Sequence, residues 1–135
     1  MTRGASAVVA AVIALLGLLS QAKAQPADIN SMTKGPVDDA MIDGRQRVLY
    51  TFDDDFYDRP TCLGRCAEDW PPFEPKAEDL PGAGFAMVRR ADGKWQWSYV
   101  GRPLYYSARD RNAYDVRGHG IDGLWHYARL PGGND

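Results

Sequence analysis

"GFAMVRRADGKWQWSYVGRPLYYSA", residues 84–108, decides how this chain folds. "GFAMVRR" and "WQWSYV" are rich in the aromatic and β-branched residues that suit strands, and "ADGK" separates them. An Asp-Gly pair between two such runs is the residue choice of a type I′ hairpin turn, where both central residues must accept positive φ. Asp92 and Gly93 are therefore expected at such a turn. "GRP" then breaks the chain again and "LYYSA" resumes, so residues 85–107 predict a three-stranded meander. Trp95 and Trp97 alternate with Gln96 and are expected on one face of the middle strand. A small domain needs such side chains in its core, although with Tyr99 they would also make a stacking platform for sugars or peptides.

Outward from this segment, "RQRVLYTF" (45–52) and "LWHYARL" (124–130) read as two further strands. "DDDFYDRP", "EPKAEDLPGAG" and "RDRNAYDVRGHGIDG" are loops by composition, and "GRCAEDW" makes at most one short helical turn before Pro71 ends it. The fold class expected is mainly β: a small antiparallel domain with long loops. Leu49, Tyr50, Asp55 and Trp70 recur 55 residues later as Leu104, Tyr105, Asp110 and Trp125, which reads as two related repeat units. At that offset Cys62 and Cys66 face Arg117 and Ile121, so the second unit manages without sulfur.

Ahead of this domain stands "MTRGASAVVAAVIALLGLLSQAKA", with one Arg, an apolar run from Ala5 to Leu19 and a closing Ala22-Lys23-Ala24. These are the three parts of a secretory signal peptide, expected over residues 1–24 and cleaved after Ala24. The apolar run is shorter than the ~20 residues a membrane span needs, so no stable membrane insertion is expected after cleavage. Residues 25–44 read as a flexible leader, partly ordered from about Val37; residues 45–130 are the repeat β domain and 131–135 a disordered tail. The chain has 135 residues with 16 basic and 18 acidic side chains, and Arg3 and Lys23 fall within the leader peptide, so the mature net charge is −4. A mildly acidic chain with scattered basic residues is expected to bind neither nucleic acid nor an anionic membrane surface.

Cys62 and Cys66 are the only cysteines and stand in "TCLGRCAEDWPPF", residues 61–73. In an oxidising compartment they are expected to pair as a structural disulfide, with Gly64 giving the short loop its flexibility. The helix-start setting of a Cys-x-x-Cys redox couple is missing. The rival is a copper-type clamp of Cys62, Cys66 and His119, a soft-ligand set. His119, between glycines in "RGHGIDG", is otherwise an exposed loop residue, and His126 is expected on the solvent face of its strand. Asp53, Asp54, Asp55 and Asp58 lack the calcium-loop spacing and read as a solvated turn.

Taken together, these segments resemble the family described as the secreted repeat of unknown function, also known as predicted lipoproteins with a Tyr-x-(Phe/Trp/Tyr)-x-x-Asp motif. The resemblance spans residues 45–128. Tyr50, Phe52 and Asp55 fit the motif; "CLGRCAEDWPPF" is similar to its Cys-x-Gly-x-Cys-Ala-x-x-Trp-Pro-Pro segment, which holds Trp70. "RADGKWQWSYVGRPLYY" and "GHGIDGLWH" are similar to the following stretches, which hold Tyr105 and Trp125. Ser107 stands where the second copy, from Tyr105 to Asp110, should have an aromatic residue, and the lipid-bearing cysteine of many relatives is absent. The resemblance implies an exported protein without a known activity.

The expectation is therefore a periplasmic or secreted module that binds an envelope component or small ligand, without catalytic residues or cofactor. A metal-handling or thiol redox protein is the alternative, with copper on Cys62, Cys66 and His119, and an enzyme ranks third.

Overall fold

The computed structural model describes residues 39–130. The signal peptide expected over 1–24, the leader up to residue 38 and the tail over 131–135 lie outside the described residues. In chain order the elements are β1 (Tyr50–Phe52), α1 (Arg65–Asp69), β2 (Phe85–Arg89), β3 (Trp95–Tyr99), β4 (Arg102–Pro103) and β5 (Trp125–Tyr127), with a short 3₁₀ turn at Ile121–Gly123 before β5. β2, β3 and β4 form an antiparallel meander, while β1 pairs with β5 so that Tyr50 faces Tyr127 and Phe52 faces Trp125. The domain is mainly β, as its sequence implies.

Adjacent residues point to opposite sides of a strand, and here both sides are buried. Ala40, Ile42, Val48, Tyr50, Tyr105 and Tyr127 enter one apolar cluster with Trp70 and Trp125. Their chain neighbours Met41, Leu49, Leu104 and Ala128 enter a second, with Phe73 and Trp97. Residues 40–43 therefore belong to the core, and the boundary expected at Arg45 moves back to at least Ala40. Burial on both faces explains why "AMI", "VLY" and "LYY" are continuous apolar runs and not alternating ones.

Two triangles of backbone hydrogen bonds hold this layer. Met41 N–H donates to Ala128 O, Ala128 N–H to Leu49 O and Leu49 N–H to Met41 O, at 2.7–2.9 Å. In the same sense, Trp97 N–H donates to Phe73 O, Phe73 N–H to Leu104 O and Leu104 N–H to Trp97 O, at 2.8–2.9 Å. Each triangle joins segments remote in sequence, which satisfies buried backbone groups where the regular strands are only two to five residues long.

The turns differ from their expectation. Asp92 has no positive φ; Gly93 alone does, at φ 86°, and Gly93 N–H donates to Arg90 O at 3.0 Å. The β2–β3 connection is thus a three-residue loop whose last residue, Gly93, is left-handed, and not a type I′ turn. Positive φ at both central residues occurs instead in the two-residue β3–β4 turn, at Val100 (φ 47°) and Gly101 (φ 79°). Trp97 is buried, whereas Trp95 at the strand end is 48% exposed, with Arg89 over its ring. The two tryptophans do not form a joint platform.

Candidate functional site

Cys62 and Cys66 are joined in a disulfide, Cα to Cα 5.2 Å, with Gly64 between them at φ 59° as α1 begins. The buried Arg90 guanidinium ties this loop to the meander, donating to Cys62 O at 2.9 Å and to Gln96 Oε1 at 2.6 Å. It also pairs with Asp92 at 3.1 Å, and that bond holds the Asp92 carboxyl below its usual range. Among the described residues no three His, Cys, Asp or Glu side chains come together as a metal set. The clamp of Cys62, Cys66 and His119 is therefore not assembled.

The motif residues Tyr50, Trp70, Tyr105 and Trp125 are core, with Phe52, Asp55 and Asp110 half-buried beside them. Tyr50 and Tyr105 face each other and exchange both backbone hydrogen bonds, at 2.8 and 2.9 Å. Tyr50 Oη donates to Asp110 Oδ2 at 2.6 Å, and Tyr105 Oη donates to Asp55 Oδ1 at 3.2 Å. Each tyrosine thus reaches the aspartate that follows the other. Trp70 and Trp125 stack with centroids 3.8 Å apart and planes 2° apart, and Phe52 covers the far face of Trp125 at 4.2 Å. Burial pushes the Tyr50 and Tyr105 phenols well above their ordinary range and also raises Asp55 and Asp110. Ser107 is buried, its Oγ accepting from Arg109 N–H at 3.2 Å. Gly118 is required by close approach: a Cβ there would lie 2.8 Å from the Trp70 ring.

Surface chemistry gathers elsewhere, around Asp53, which its sequence context places in a solvated turn. Asp53, just after β1, is half-exposed, with Oδ2 at 2.8 Å from His126 Nε2 and Oδ1 at 3.3 Å from Arg102 Nη2. Two open clefts of about 340 Å³ each share Asp53 and Arg102. One is lined by His119, His126, Tyr99 and Arg129, and the other by Phe56, Tyr57, Val100 and Pro103. His126 lies on the outer face of β5, as its alternation with the buried Trp125 and Tyr127 implies. His119 is exposed in its loop, yet positioned: its Nδ1 accepts from Tyr127 N–H at 3.3 Å, and its ring sits 4.4 Å from the Tyr127 ring and 5.8 Å from His126. Burial, then the charges of His126 and Arg129, hold the His119 imidazole below its usual range. No sequence motif marks this groove. Asp53 and Arg102 stand 49 positions apart, and the only signal was the exposed register of β5.

The fold and groove define a small, disulfide-bridged antiparallel β domain whose tyrosine–aspartate motifs build the core and whose polar side chains collect in a surface groove. Residues 86–129 match the family model described as the secreted repeat of unknown function. The match is narrower than the resemblance expected over 45–128, and the cysteine segment lies outside it. No curated protein and no solved structure matches the chain. The family description is consistent with an exported protein of unknown activity, and no helix among the described residues is long and apolar enough to cross a membrane.

Proposed function

We propose that the domain is a non-catalytic binding module acting in the periplasm or outside the cell, with the groove at Asp53 and Arg102 as its ligand surface. One observation carries the reading: Asp53 is held by both His126 and Arg102 at the junction of the two clefts. Polar groups fixed by one another before a ligand arrives lose little freedom on binding it, and aromatic walls beside them supply contact area. The same reading treats the chain as two interlocked copies of one unit, a proposal supported by the reciprocal Tyr50–Asp110 and Tyr105–Asp55 bonds.

The test is a backbone-amide NMR screen of the full exported chain against small saccharides, amino acids and simple oxyanions. Saturable shifts that gather at Thr51, Asp53, Arg102, His119 and His126 are the expected result. Shifts that gather elsewhere, or none with any probe class, would overturn the reading.

A further inference from the structure

The His119 side of the groove gathers basic side chains on a chain whose net charge is negative. Arg102, His119, His126 and Arg129 line one cleft, brought there by β4, the loop before the 3₁₀ turn, β5 and the residue two past its end. Asp53 is the one carboxylate in that lining, and both of its oxygens are engaged, one by His126 and one by Arg102. Arg129 Nη2 donates to Tyr127 Oη at 3.1 Å, with the guanidinium 5.1 Å from that ring, so its cation is oriented along the cleft wall. Because His119 Nδ1 accepts the Tyr127 N–H, the neutral ring carries its proton on Nε2 and remains a donor.

Four basic side chains line this cleft with one carboxylate, and His119 keeps an N–H donor on its Nε2. We propose that this lobe binds an oxyanion, the carboxylate or the phosphate-like group of a small ligand, between Arg102, His119, His126 and Arg129. The proposal rests on the reading of the groove as a binding surface and adds the chemistry of the ligand. Charge-assisted hydrogen bonds from guanidinium and imidazole are the strong contacts such a group seeks. The depressed His119 agrees with the geometry: burial first, and then the charges of His126 and Arg129, oppose its protonation, and a bound anion would offset the second of these. Besides the four basic groups, the charged or titratable side chains on the elements around the two imidazoles are Asp53 after β1, Tyr99 of β3, Tyr127 of β5 and Asp122 of the 3₁₀ turn.

The experiment titrates the full exported chain with sodium sulfate and, separately, sodium acetate, at constant ionic strength set with chloride, and reads the histidine ring nitrogens by NMR. Both probes keep their charge between about pH 5.5 and about pH 8, so any pH dependence reports the protein's own imidazoles. Expected are saturable shifts of the His119 and His126 signals, a rise in both imidazole pKa values when the probe is bound, and tighter binding at the lower pH. Sulfate preferred over acetate points to a tetrahedral ligand group, and the reverse to a carboxylate. Arg102→Gln and, independently, His119→Gln should each weaken binding by roughly tenfold while unfolding stays cooperative, the scale of one charge-assisted contact. Shifts no larger than in chloride, or shifts indifferent to both substitutions, would overturn the oxyanion assignment. If neutral saccharides still map to the groove in that case, the binding reading stands and only the ligand chemistry fails.

Discussion

Arg90 shows how little a single residue's type reveals about its place. In "VRRADG" it reads as a surface cation, yet it is 2% exposed and bonded to Gln96, Asp92 and the carbonyl of Cys62. Replacing it with Met removes the charge and strands the Cys62 and Gln96 acceptors. The expected loss is about 3 kcal/mol, read as a lower denaturant midpoint at unchanged slope. Arg90→Lys should recover only part of it, because an ammonium cannot span the same fork of acceptors. Three tyrosines, Tyr50 and Tyr105 buried and Tyr106 half-buried, make a second test. Tyr50, Tyr105 and Tyr106 donate to Asp110, Asp55 and Asp43, and burial foremost, with the partner carboxylates, pushes all three phenols above their ordinary value of 10.0. A phenol whose folded pKa is raised holds its proton better in the folded state. Its contribution is complete below about pH 10 and is lost as pH rises beyond it. Thermal unfolding midpoints should therefore be unaffected by these tyrosines up to that pH and fall above it, with tyrosinate absorbance appearing together with unfolding.

Among the elements, the first two meander strands were legible because the Asp-Gly break between them is local, whereas the third, expected at "LYYSA", lies at Arg102–Pro103, inside the expected break. Which turn takes which geometry was not legible, since loop length is set by the β2–β3 register, Arg89 opposite Trp95, and by Tyr99 opposite Arg102. That register forces Val100 into a left-handed conformation with its side chain 60% exposed, an unfavourable site for a β-branched residue. Val100→Asn should stabilise the domain by about 1 kcal/mol, measured as a raised unfolding midpoint, because Asn tolerates positive φ. Gly93→Val should act in the opposite sense and cost more than about 1 kcal/mol. Open space surrounds Gly93, so the cost comes from its φ and not from a clash.

For the whole molecule, the disulfide closes the short loop from Cys62 to Cys66, whose Cys62 enters a core assembled from short strands. Changing both cysteines to Ser should lower stability by roughly 2 kcal/mol, the chain-entropy value for so small a ring. The native exported protein should weigh two hydrogens less than its reduced form and resist thiol reagents until reduced. By itself the sequence determined what depends on neighbours in the chain: the β-rich segments, the helical turn before Pro71 and the close pairing of two cysteines. It also held the 55-residue recurrence of Tyr, Asp and Trp, without saying that each Tyr would bond to the other copy's Asp. Only the tertiary structure decided that crossing, along with the inclusion of residues 40–43 in the core and the burial of Arg90. It alone brought Asp53, Arg102, His119 and His126 to one groove. The physical reason is range: propensity and turn chemistry act over a few residues, whereas these side-chain contacts close loops of 28 to 73 residues. Their energy exists only once both faces of the central strands are buried.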